Sequence, residues 1–212
     1  HGALEDFFKK TNDEAETPDK AFLLAKFEDY LHRQPLMARD YGELLGRGEK
    51  ALGGYYDFWV GQWRTRVLTE FNIPGVLLTP EIRLTGKIDK IEFLGDGNEV
   101  NVVDYKTGKP KTRGYVEGST KNSEGDIKRQ IIFYKLLLDS TKYKMVSATI
   151  DFVEPDAKGN YKQENFTVTK EEEKELVDLI KKVSTEILNL EFWDKKCDDP
   201  ECEFCSLREM MG

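Results

Sequence analysis

The chain has 212 residues, 39% hydrophobic and 11% aromatic, with a formal net charge of −8, which is enough apolar material for one domain with its own core. No apolar run of about 18 residues occurs, which excludes a transmembrane helix and leaves no membrane partner to expect. The first ten residues lack the basic start and apolar stretch of a signal peptide. The three cysteines, all near the C-terminus, exclude a disulfide framework and make a reducing, cytoplasmic setting the expectation. The chain opens at His1 without a methionine and reads as a piece of a larger protein.

Residues 1–72 read as a helical part. Phe7 and Phe8 belong to a short amphipathic helix opening at Gly2 or Ala3. Thr17-Pro18-Asp19 predicts a helix start, with Thr17 as N-cap and Pro18 in the first position. That helix carries Phe22, Leu23, Phe27, Tyr30 and Leu31 and ends at Pro35. A longer helical stretch is expected from Met37 to Phe71, with Leu44, Leu45, Leu52, Tyr55, Tyr56, Trp59 and Trp63 as its apolar positions and the aromatics read as core rather than a base-stacking platform. Residues 73–195 read as an α/β catalytic core. Val76–Thr79 and Glu81–Phe93 are expected strands, and Gly95-Asp96-Gly97-Asn98 is a hairpin turn before a strand over Glu99–Tyr105. A basic, glycine-rich loop (Thr107–Gly125) leads to a helix over Asp126–Leu138. Strands are expected over Met145–Glu154 and Asn160–Val168. A last helix over Thr169–Leu190 has Leu176, Ile180, Val183, Ile187 and Leu190 on one face and Thr169 as cap. Residues 196–212 form a cysteine-containing tail. The order predicts an α/β fold, a central mixed β-sheet flanked by helices behind a helical N-terminal part.

Three short segments carry chemistry. In Gly86-Lys87-Ile88-Asp89, period two turns Asp89 away from Ile88. In Val102-Val103-Asp104-Tyr105-Lys106-Thr107-Gly108, Asp104 and Lys106 share one strand face while Val103 and Tyr105 share the other. An acid beside a lysine at the end of an apolar strand makes a poor core and a good site. Gln130 and Tyr134 lie four apart on a helix and share a face. Phosphodiester hydrolysis at neutral pH calls for a divalent ion such as Mg²⁺ or Mn²⁺, which takes carboxylate oxygens. Asp89 and Asp104 can supply these, with a backbone carbonyl near Tyr105, and Lys106 would orient the attacking water or steady the developing charge. Net acidity argues against nucleic-acid binding, but between Tyr105 and Gln130 seven bases face three acids. Lys109, Lys111, Arg113, Lys128 and Arg129 are therefore candidate phosphate contacts.

In this order, Gly-x-x-Asp, Asp-Tyr-Lys-Thr-Gly and Gln-x-x-x-Tyr resemble the RecB-like branch of the PD-(D/E)XK nucleases, with its restriction-endonuclease-like core. The match is best from Thr79 to Leu138. Members of that branch are attached to DNA helicases of the UvrD/Rep and AddAB/RecBCD kinds, or act in CRISPR adaptation. The resemblance implies a Mg²⁺- or Mn²⁺-dependent DNA nuclease, an exonuclease on single-stranded ends in repair and recombination, with helicase motor domains as partners. It implies Asp89 and Asp104 as metal ligands, Lys106 as catalytic lysine, and Gln130 and Tyr134 as groups that position the lysine or the DNA. The family carries a metal-binding His on the helix before the sheet. His1-Gly2-Ala3-Leu4-Glu5 fits that motif, the alternative being a histidine left by an expression tag. Glu81 takes a minor supporting role, and His32 is a surface residue.

Cys197, Cys202 and Cys205 resemble the three-cysteine end of relatives that hold an iron–sulfur cluster with a fourth cysteine elsewhere. Neither that cluster nor zinc finds a fourth cysteine here, so a reduced tail is the expectation and metal binding the alternative. The competing functions are an inactive DNA-binding module of the same fold, a metal-stabilised interaction domain, and a restriction-type endonuclease.

Overall fold

The computed structural model describes residues 1–191, 193, 195–199 and 201–211. Two compact units divide the chain, His1–Glu173 and Lys174–Gly212. The first contains the whole sheet. The second contains most of the last long helix and the cysteine segment.

Helix α1 (Gly2–Glu14) buries Ala3, Leu4, Phe7, Phe8 and Thr11, an apolar stripe at helical spacing. Helix α2 (Lys20–His32) starts two residues later than the sequence predicts. Asp19 is its cap, with the carboxylate accepting from Phe22 N at 2.8 Å. An Asp cap satisfies an orphan N–H and also places a negative charge at the positive end of the helix, so Thr17 and Pro18 stay outside it. Helix α3 (Ala38–Trp59) ends well short of Phe71. Val60 leaves the helical region and Gly61 takes φ 83°. Strand β1 then runs over Val67–Leu77, in place of the short strand expected at Val76–Thr79. The alternation of Val67, Phe71 and Ile73 with polar neighbours belongs to a period of two and was masked by the aromatic helix before it.

Strand β2 (Arg83–Phe93) and β3 (Glu99–Lys106) form the expected hairpin, with Leu94 N donating to Glu99 O at 3.0 Å across its base. The basic loop contains a short helix, α4 (Arg113–Glu117), capped by Thr112. Helix α5 spans Asp126–Leu138, as the sequence predicts. Strands β4 (Lys144–Phe152) and β5 (Lys162–Phe166) follow. Helix α6 (Lys170–Leu188) opens with a reciprocal capping pair. Glu172 N donates to Thr169 Oγ1 at 3.2 Å, and Thr169 N to Glu172 Oε2 at 2.9 Å. Of the face expected on α6, only Leu176 is buried, while Val183, Ile187 and Leu190 are exposed. Amphipathic spacing makes the helix but does not by itself supply a surface to cover its stripe. Helix α7 covers Glu203–Met211.

The sheet has the order β1-β2-β3-β4-β5. Only β3 and β4 are parallel, joined through α5, and the other neighbours are antiparallel. Strand β3 is buried from Val100 to Tyr105, as a central strand covered on both faces must be. Val103 and Tyr105 face the helical side, where they join Leu4, Phe7, Phe8, Leu23, Leu52 and Tyr55 in one cluster, with Trp59 and Trp63 packed against it. Those aromatics are core, as expected. The same side buries Lys90, which lies 2.8 Å from Glu92 Oε1 and 4.0 Å from the centre of the Phe8 ring. The pairing and the ring face offset part of the cost of removing that ammonium from water. Asp151 is buried beside it, accepting from Tyr55 Oη at 2.6 Å and Gln163 Nε2 at 2.9 Å.

The cap assignment predicts that Asp19→Ala costs about 1 kcal/mol, whereas Thr17→Ala stays within about 0.5 kcal/mol of the parent. Urea unfolding midpoints of the two variants check this, and the opposite ranking would return the cap to Thr17.

Candidate metal centre

His1 holds the N-cap position of α1 with no cap hydrogen bond from its side chain, so its ring is free to turn toward the sheet. Nδ1 lies 3.4 Å from Asp89 Oδ1. That contact with Asp89 raises the imidazole pKa, against a lowering by partial burial. Asp89 is on β2, where it also accepts from Tyr105 N at 2.9 Å. Strand pairing thus fixes the carboxylate from the neighbouring strand. Tyr105 reaches the site through this backbone N–H, while its ring is buried in the helical-side core. Gly86 of the Gly-x-x-Asp segment has a packing reason of its own, since a Cβ there would lie 2.4 Å from Leu137 Cδ1 of α5.

Glu70, which sequence reasoning missed, is the third member. Ligand atoms of His1, Glu70 and Asp89 all lie within 4.8 Å of one another. The β1–β2 ladder pairs Thr69 with Lys90 and Phe71 with Ile88, and between them Glu70 adopts φ 48°. A non-glycine residue in this left-handed region costs on the order of 1–3 kcal/mol, the kind of strain that persists where the surroundings impose it. Glu70 also pairs with Lys87. Glu81, the acid given a minor role from the sequence, stands in the turn after β1 with its carboxylate 3.2 Å from Thr79 Oγ1.

Asp104 and Lys106 occupy the β3 face opposite Tyr105, and α5 covers them. Lys106 Nζ lies 2.7 Å from Asp104 Oδ2 and donates to Gln130 Oε1 at 2.8 Å. Gln130 Nε2 donates to Tyr134 Oη at 2.6 Å, and Tyr134 Oη donates to Asp104 Oδ1 at 3.1 Å. The four side chains close a ring, with the two residues spaced four apart on α5 clamping the strand pair. Burial pushes the Asp104 pKa up, while Lys106 holds it down. Burial and the nearby Asp104 charge push the Tyr134 phenol up, so it remains a neutral donor.

The donor set fits a hard divalent cation. Glu70 and Asp89 are about one-eighth exposed and converge with an imidazole nitrogen. Asp104, expected as a ligand, lies outside this three-residue cluster, and its buried Oδ2 faces Lys106 Nζ at 2.7 Å. Clustered carboxylate oxygens of this kind suit Mg²⁺ and Mn²⁺.

The basic residues of the loop are largely committed within the fold. Arg113 lies 2.9 Å from Glu117 and 3.4 Å from Glu164, Lys128 3.0 Å from Glu172, and Arg129 2.8 Å from Asp126. Lys111 lies over the Tyr115 ring at 4.9 Å, and Lys109 is exposed. In the second unit the sulfurs of Cys197, Cys202 and Cys205 also gather within 4.8 Å of one another. No fourth ligand joins them among the described residues. His32 is exposed, with its ring edge-on to Tyr41.

The mixed sheet presents an Asp-x-Lys strand end beside a second acid on the neighbouring strand, a candidate carboxylate-and-lysine centre. A family model described as the PD-(D/E)XK nuclease superfamily matches residues 1–210, and the chain belongs to that superfamily. No curated protein matches the chain.

Bound Mn²⁺ is predicted to raise the melting temperature by several degrees, since a ligand at 100 times its Kd adds about 2.7 kcal/mol and each kcal/mol moves a domain of this size by about 2–4 °C. Asp89→Asn and Glu70→Gln should abolish the rise and Glu81→Gln should keep it. Differential scanning calorimetry with and without Mn²⁺ reads all three.

Proposed function

We propose that this domain is a Mg²⁺- or Mn²⁺-dependent deoxyribonuclease that removes nucleotides from single-stranded ends. It works beside helicase motor domains in the repair and recombination of DNA. The observation that carries the nuclease reading is the closed Asp104–Lys106–Gln130–Tyr134 ring beside the His1, Glu70 and Asp89 cluster. Superfamily membership supports a nuclease in general. The exonuclease mode and the helicase partner rest on the resemblance of the three motifs to the RecB-like branch. A cytoplasmic setting accords with three free cysteines. Among the described residues no helix is long and apolar enough to cross a membrane.

His1, Glu70, Asp89 and Asp104 would hold the ion, with the Tyr105 backbone at the same strand end. A divalent ion there neutralises phosphoryl charge and lowers the pKa of water. The rest falls to the chain. Lys106 has three N–H donors. One is given to Gln130, Asp104 balances the charge, and the side chain is 27% exposed. It can orient the water that attacks phosphorus or steady charge on the phosphoryl oxygens. Gln130 and Tyr134 act as positioning residues. They fix the ammonium and the carboxylate before substrate arrives, so little reorganisation remains at the moment of reaction. Lys109 and Lys111 are the loop cations nearest in sequence to this strand end and would contact the backbone of the bound strand, which Arg113, Lys128 and Arg129 would join only by exchanging their carboxylate partners for phosphates.

End-labelled single- and double-stranded DNA with Mg²⁺ or Mn²⁺ tests the reading. Lys106→Ala should lower cleavage by roughly 10²–10⁴-fold and EDTA should abolish it, while Gln130→Ala should lower kcat by about 10–100-fold. Folded protein that binds DNA and cleaves neither form with either metal would make this a binding module.

A further inference from the structure

A cleft of about 530 Å³ opens beside the metal centre, between α1, α2 and α3. Its volume falls within the range of about 300–1,000 Å³ typical of small-molecule sites. Phe27, Tyr30, Leu31 and Leu44 form its walls, and His1 and Thr107 lie in its lining. Two of those residues tie it to the chemistry. His1 also belongs to the ligand cluster, and Thr107 follows Lys106 directly in the chain. The cleft therefore borders the site at His1.

Its walls are preformed. The Tyr30 ring lies against Gly2, where a Cβ would meet it at 2.7 Å, and the Phe27 ring lies against Gly48, where a Cβ would meet it at 2.0 Å. Glycine at both positions lets the α2 rings press on the backbones of α1 and α3. The charges in the lining cancel, since Arg47 Nη2 lies 2.6 Å from Glu154 Oε1. An apolar, partly aromatic cavity whose charges are already paired favours a flat, uncharged group over a phosphate.

We propose that this cleft receives one unstacked nucleobase of the substrate strand, next to the phosphate held at the metal centre. The proposal rests on the single-strand reading above and goes further by assigning a base subsite. Stacking on an aromatic side chain tolerates any base, so the subsite would favour single-stranded over paired DNA without reading sequence. A base held in a duplex cannot enter unless it is extruded.

The test is binding, measured separately from cleavage. Fluorescence anisotropy would follow a labelled thymidine hexamer, with Ca²⁺ present, on the native protein and on Tyr30→Leu. Each position of the hexamer would in turn be made abasic. At one position, loss of the base should weaken binding to the native protein about tenfold, within the range for single stacking contacts. At that position the abasic strand should bind Tyr30→Leu no more weakly than it binds the native protein, because ring and base make the same contact. Leu44→Ser, at a half-exposed wall residue, provides the same comparison if Tyr30→Leu does not fold. Additive effects, or no position sensitive to base loss, would overturn the base subsite even if DNA is cleaved. Failure of the native protein to bind the hexamer would also overturn it, and the nuclease reading would then be decided separately by cleavage of duplex DNA.

Discussion

The alternation of β3 is the constraint on which the rest of the structure depends. The strand is covered on both sides, so its odd and even residues meet different partners. Val103 and Tyr105 enter the aromatic core built by α1, α2 and α3, while Asp104 and Lys106 meet Gln130 and Tyr134 on α5. A slip of one residue would drive an acid and a lysine into the aromatic core and bring Tyr105 out to the site. The core therefore fixes the register of the Asp104–Lys106 pair, and the burial of Tyr105 holds Lys106 in place. The Tyr105 N–H extends the same constraint to the next strand by fixing the Asp89 carboxylate.

Charge is the second theme. Glu70 and Asp89 converge with His1 at one end of the sheet, Lys87 pairs with Glu70, and Asp104, outside that cluster, pairs with Lys106. Burial raises the Asp104 pKa even with Lys106 beside it. A cluster of this kind is poor for stability, and a bound cation would turn the same cluster to advantage. The left-handed backbone of Glu70 is a second cost accepted at the same place, in keeping with strain concentrated at a site over-determined by its surroundings.

Much of the fold and part of the site were legible in the sequence. Asp104, Lys106, Gln130 and Tyr134 could be paired on faces from spacing alone, because periods of two and 3.6 are local properties of strands and helices. The hairpin turn and α5 were legible for the same reason. His1 entered through the resemblance, since a terminal histidine has no spacing of its own. Glu70 escaped because the helical pattern of α3 was carried too far, through the start of β1. A residue in a misassigned segment has no predictable face, and glutamate carries no signal for a positive φ. The commitment of Arg113 to Glu164 and of Lys128 to Glu172 was also hidden. Their partners Glu164 and Glu172 lie far along the chain, and only the packing of β5 and α6 brings them close.

The central claim is that the His1, Glu70 and Asp89 cluster and the adjacent Asp104 form one divalent-cation site. The most direct measurement is a crystal structure of the protein soaked in Mn²⁺, with the ion located by its anomalous scattering. The prediction is one strong peak within coordinating distance of Asp89 and Asp104 carboxylate oxygens, with His1 and Glu70 turned toward it and Lys106 close by. A well-ordered site without a peak, or manganese bound only elsewhere on the protein, would contradict the claim.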